Sequence, residues 1–100
     1  MFTLFIEYRV EPEQLESYKN QLTKVREKLL QYKVVNYQVL EAVDQPYLFV
    51  EQLQLGEDLE LYRSWKEALS KQEEAHPWQE LWSTIVGGKE KFNMWAFKPI

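Results

Sequence analysis

The hydrophobic period of this chain switches repeatedly between two and about three and a half residues, and within one hundred residues that alternation leaves few folds open. Residues 2–10, FTLFIEYRV, alternate as a strand does. Phe2, Leu4, Ile6, Tyr8 and Val10 share one face, and Thr3, Phe5, Glu7 and Arg9 share the other. Pro12 then suits the first turn of a helix, with Glu13 and Glu16 near its positive end. Leu15, Tyr18, Leu22, Val25 and Leu29 follow at steps of three and four, the buried stripe of an amphipathic helix. Lys19, Lys24, Glu27 and Lys28 fall on its solvated side.

The period returns to two over residues 34–43, VVNYQVLEAV. Asp44-Gln45-Pro46 marks a turn, and residues 47–55, YLFVEQLQL, form a third strand that Gly56 ends. Glu57 and Asp58 open a second helix with Leu59, Tyr62, Trp65, Ala68 and Leu69 on its inner side. Pro77 interrupts that pattern and starts a short further helix carrying Trp78, Leu81, Trp82 and Ile85. Gly87-Gly88 stops it, and residues 91–98, KFNMWAFK, make the last strand. The order β-α-β-β-α-β predicts a ferredoxin-like α+β fold. Its four-stranded antiparallel sheet has the order 4-1-3-2, with both helices on one face. Residues 1–100 form one domain.

Composition narrows the function classes. Twelve basic against 16 acidic residues give a net charge of −4, with no basic stripe for phosphate, so no nucleic acid is expected as a partner. The first helix is mixed in sign, and no apolar run approaches the roughly 20 residues of a spanning helix, so no membrane role is expected. There is no cysteine, hence no disulfide or thiolate chemistry. A soluble cytoplasmic protein is the expectation.

Aromatic residues make up 15% of the chain, more apolar area than one small core needs. Two helices cover one face of the predicted sheet, yet no strand offers a purely polar second face. That face is therefore expected to be buried against a second subunit, giving a homodimer. Phe5, Glu7, Arg9, Phe49, Glu51 and Trp95 are grouped there, so that Glu7, Arg9 and Glu51 meet. They would form a structural ion-pair network or, if burial raises a carboxylate pKa, a general base.

Two further features carry candidate chemistry. His76, the single histidine, would shuttle a proton or ligate iron, or simply cap the helix that begins at Pro77. Nothing else is spaced as a metal ligand for it, Glu73 and Glu74 included. Trp65 would wall a planar ligand, whereas Trp78 and Trp82 read as core. There is no G-x-S-x-G, P-loop or G-x-G-x-x-G.

The strand LFVEQLQL, the stretch YRSWKEALSKQEEAHPWQELW and the closing NMWAFKP, set in this element order, resemble the antibiotic-biosynthesis-monooxygenase-like group of the dimeric α+β barrel superfamily. The resemblance covers the whole chain. It implies two sheets paired across a dimer and a cavity between helices and sheet. It also implies a small-molecule monooxygenase that needs no cofactor and acts on a planar aromatic substrate. Glu7 or His76 would then be the base and Arg9 the anion-stabilising group. Tyr62, Trp65, Glu51 and Trp95 would contact substrate, and Asn36 is a further residue of the type such pockets use. An alternative implied by the haem-degrading members is a haem site with His76 as iron ligand. Trp65 matches their helix tryptophan, but the first-strand asparagine is replaced in Ile6-Glu7-Tyr8. A third alternative is a ligand-binding protein without catalysis on the same scaffold.

Overall fold

The computed structural model describes residues 1–71 and 76–100, so Glu73 and Glu74 lie outside the described residues. The elements are β1 (Thr3–Arg9), α1 (Leu15–Leu29), β2 (Val35–Glu41), β3 (Leu48–Gln54), α2 (Leu59–Ala68) and β4 (Asn93–Phe97). Short 3-10 segments span Pro12–Gln14, Gln79–Thr84 and Gly88–Lys91. The sheet is antiparallel in the order β2-β3-β1-β4, the order the sequence predicts.

Pairing decides which residues share a face. Ile6 lies opposite both Glu51 and Met94, Leu4 opposite Leu53 and Ala96, and Tyr8 opposite Phe49. These residues face the helices. Tyr18 and Leu22, Val25 and Leu29 of α1 are buried over them, Tyr18 touching both Tyr8 and Phe49. Trp65 of α2 is buried against Trp78. The grouping of Phe49 and Glu51 with Glu7, Arg9 and Trp95 is thus corrected. Phe49 and Glu51 point to the helix side, while Glu7, Arg9 and Trp95 are exposed on the other. A shift of one residue in strand phase moves a whole side-chain set across a sheet, and the pairing of β1 with β3 sets that phase.

Two local departures have clear causes. The segment after Pro77 winds as a 3-10 helix rather than an α-helix, with i to i+3 bonds from Leu81 N–H to the Trp78 carbonyl and from Ile85 N–H to the Trp82 carbonyl. Its fully buried residues are Trp78, Leu81 and Thr84, which recur every third position, the repeat of that helix. In β2, three steps from Val35 to Gln38 match two from Gln54 to Gln52, which is a bulge. Asn36 takes the left-handed conformation (φ 55°) there, and Tyr37 and Val39 turn to the helix side while Val35 stays opposite Gln54. Gly87 (φ 81°) sits at the N-terminal cap of the next 3-10 turn, Gly88–Lys91, where a Cβ would lie 2.3 Å from the Lys91 side chain.

Candidate functional site

Glu51 sits at the middle of β3, fully buried between sheet and helices. A carboxylate with no access to water needs donors, and three side chains supply them. The Tyr8 hydroxyl donates to Oε2. The Tyr37 hydroxyl (2.5 Å) and the Trp78 indole N–H (2.8 Å) both donate to Oε1. Because Tyr8 spends its one proton on Glu51, the 2.8 Å contact between the Tyr8 and Tyr18 hydroxyls is a donation from Tyr18. If Glu51 takes up a proton on Oε2, the same row of oxygens accommodates it by reversing direction.

Burial raises the Glu51 pKa above its ordinary value, and the hydrogen bonds from Tyr37, Tyr8 and Trp78 oppose that rise. Burial, together with the Glu51 charge, also pushes the Tyr8 and Tyr37 hydroxyls well above the usual tyrosine range. Those phenols therefore stay protonated as donors, and Glu51 is the acid of the row whose pKa burial raises from the carboxylate range.

The surroundings are aromatic. Trp78 meets Trp65 and Phe92 at 5.2 and 5.9 Å between ring centroids, and Phe92 stacks on Tyr8. Tyr37 separates Glu51 from a surface cleft of about 480 Å³ lined by Arg26, Leu29, Leu30, Tyr32, Val34 and Tyr37 itself.

The residues singled out in the sequence divide between the two sheet faces. Trp65 is buried against Trp78, which bonds Glu51, and Tyr62 is half-buried at the margin of the same core. Glu7 and Arg9 lie on the opposite face, along a cavity of about 530 Å³ shared with Gln45, Leu48, Lys91 and Asn93. Arg9 donates to Gln45, not to a carboxylate. Trp95 is 55% exposed there, with the Lys66 ammonium 3.4 Å from its ring centre. Asn36 forms the bulge and donates to Gln54 (2.7 Å), so it acts by aiming Tyr37.

His76 is buried, and both its ring nitrogens are occupied. Nδ1 accepts the Trp78 backbone N–H (3.3 Å), which makes Nε2 the protonated nitrogen, 3.1 Å from the Trp65 carbonyl oxygen. Burial lowers its pKa from 6.5 to about 4, so the ring is neutral. It ties the end of α2 to the segment that carries Trp78. A ring so engaged has no lone pair free for iron, and this donor set does not fit a haem ligand. Among the described residues, no group of three or more His, Cys, Asp or Glu side chains is placed to hold a metal ion.

Tyr37, Trp78 and Arg26 were not visible as site residues in the sequence. The signal available was a glutamate in the alternation of β3; which tyrosines reach it depends on pairing and on the bulge.

No protein-family model matches the chain, and no curated protein matches it. Solved structures do. A conserved protein from Methanosarcina mazei superposes with a TM-score of 0.71 at 12% identity, over 97% of this chain and 90% of the other. Proteins provisionally named antibiotic biosynthesis monooxygenases are also similar. That from Nitrosomonas europaea gives a TM-score of 0.65 at 15% identity, over 100% of this chain and 99% of the other. That from Deinococcus radiodurans gives 0.66 at 12% identity, over 99% and 92%. Identities this low speak for architecture and not for chemistry. They agree with the resemblance read from the sequence: this chain has the α+β fold of the antibiotic-biosynthesis-monooxygenase-like proteins.

Proposed function

We propose that the chain is a cofactor-independent monooxygenase for a planar hydroxyaromatic compound, with Glu51 as general base. The observation that carries this reading is a fully buried carboxylate of raised pKa, walled by aromatic rings and one side chain away from a cleft. A base in such a place is strong when ionised and is positioned at no cost to the reaction. The substrate hydroxyl gives its proton to Glu51. The electron-rich ring then passes an electron pair to dioxygen at a hydrogen-bearing carbon ortho or para to the oxygen, forming a carbon–oxygen bond. The peroxide takes the proton back from Glu51. Loss of water with the ring hydrogen leaves a quinone, so that one phenol and one dioxygen become one quinone and one water. Tyr32, Leu29 and Val34, which line the cleft, flank the ring system, and Trp65 and Trp78 back that wall from the core. Glu7 is a poor base for this reaction because it lies on the far face, and His76 because both nitrogens are engaged.

The open face supports assembly. Trp95 and Phe97 are 55% and 57% exposed, and Phe5 packs edge-on to Phe97. A second copy covering this face would bury them, as in the homodimer expected from the sequence.

The test is dioxygen uptake with a panel of polycyclic phenols and hydroquinones. Glu51→Gln should lower kcat at least about 100-fold, while Glu7→Gln leaves it unchanged. The wild-type rate should climb with pH through the raised Glu51 value. Uptake that survives in Glu51→Gln would refute the base. Ligands that bind without uptake would favour the non-catalytic reading, which the closed state of Glu51 Oε1, already bonded to Tyr37, also suits.

A further inference from the structure

The cleft in front of Glu51 contains a cation that the oxygenation chemistry leaves without a role. Arg26 projects from the exposed side of α1, and its guanidinium carbon lies 5.7 Å from the centre of the Tyr37 ring. Among the described residues it makes no ion pair. The remaining walls, Leu29, Leu30, Tyr32 and Val34, are apolar or aromatic.

Tyr37 is itself a phenol in this site. Its hydroxyl rests on Glu51 Oε1, its ring lines the cleft together with Leu29, Leu30, Tyr32 and Val34, and the Arg26 guanidinium lies over that ring. It thereby marks the place of an aromatic ring with a hydroxyl inward and a positive charge outward. We infer that the cleft takes a hydroxyaromatic carboxylic acid. Its hydroxyl replaces that of Tyr37 on Glu51, and its carboxylate pairs with Arg26. The inference rests on the reading of Glu51 as the acceptor of a substrate hydroxyl, and adds the anionic end of the substrate and the residue that selects it.

Displacing Tyr37 is feasible where it stands. β2 is an edge strand, paired only to β3, and the bulge at Asn36 breaks its ladder beside Tyr37. Guanidinium and carboxylate meet through paired, charge-assisted hydrogen bonds, which an uncharged ring cannot make. Because Tyr37 competes with the ligand for Oε1, part of the binding energy goes into moving it. Removing its hydroxyl lifts that cost.

The experiment measures binding under nitrogen, so that turnover does not enter. The probes are para-hydroxybenzoate, benzoate and phenol, titrated by equilibrium dialysis. Wild type should bind para-hydroxybenzoate at least about tenfold more tightly than either single-function compound. Arg26→Gln should erase the advantage over phenol, and Glu51→Gln the advantage over benzoate. Tyr37→Phe should tighten phenol and para-hydroxybenzoate several-fold and leave benzoate unchanged. Arg26 and Tyr37 are at or near the surface, so these variants test recognition without emptying the core. Equal affinity for phenol and para-hydroxybenzoate, or no effect of Arg26→Gln, would overturn the anchor. Weaker binding in Tyr37→Phe would overturn displacement. The two readings fail separately. Arg26-dependent binding with full oxygen uptake in Glu51→Gln removes the base and keeps the anchor. Loss of uptake in Glu51→Gln with unchanged affinity in Arg26→Gln does the reverse.

Discussion

Glu7 and Glu51 are almost neighbours in the sheet, since Glu51 pairs with Ile6, yet they live in opposite environments. Glu7 is exposed on the open face; Glu51 is fully buried on the helix face and bonded to Tyr8, Tyr37 and Trp78. One step along a strand separates a solvated carboxylate from one with altered proton affinity. The open face leaves Trp95 and Phe97 outward, whereas the helix face encloses a carboxylate whose oxygens are all bonded by side chains of the same core.

The sharpest way to break this contrast is to truncate both glutamates. Glu51→Ala leaves three buried donors without an acceptor and should cost about 3–5 kcal/mol. Glu7→Ala should stay within about 0.5 kcal/mol. Urea unfolding midpoints at neutral pH check both, and similar losses would show that the faces do not differ as described.

Acid titration probes the helix side. His76 is held neutral down to about 4 against an ordinary 6.5, so between those values the unfolded chain binds a proton that the native chain refuses. Its contribution is complete above 6.5 and falls away toward 4, by at most roughly 3 kcal/mol. Glu51 works in the opposite sense, because its pKa is raised from 4.5: its contribution is complete below 4.5 and is lost as pH rises through the raised value. His76→Gln should flatten the acid limb of a stability–pH curve, and Glu51→Gln the limb above it. An unchanged acid limb in His76→Gln would count against a buried neutral ring.

On the open face, Phe97→Asp should weaken self-association about 100-fold, or roughly 2.7 kcal/mol, while far-ultraviolet circular dichroism stays native. Sedimentation of wild type as a monomer at all concentrations would remove this face as an interface. The smallest effect inside the core belongs to the end of the hydroxyl row. Tyr18→Phe should cost about 1 kcal/mol and leave the assembly mass unaltered, since it removes a single hydrogen bond inside the core.

Much of the architecture was legible in the chain. The alternation of FTLFIEYRV and the stripe Tyr18, Leu22, Val25 and Leu29 are set by the geometry of strand and helix, and both fall where the periodicities place them. In β1 the two residue sets are unequal enough to orient the strand. In β3 they are not: Phe49, Glu51 and Leu53 compete with Leu48, Val50 and Gln52, and a glutamate makes the first set look the more polar. Reading Glu51 outward was the natural consequence.

What only the folded chain decided is the company Glu51 keeps. Tyr8, Tyr37 and Trp78 lie 43, 14 and 27 positions away from it in sequence. Periodicity is a local property, so it is written in consecutive residues. Strand phase, the aim of Tyr37 beyond the bulge and the 3-10 turn that seats Trp78 arise from pairing between distant segments, where burial of the whole core selects one register among several that the local pattern permits.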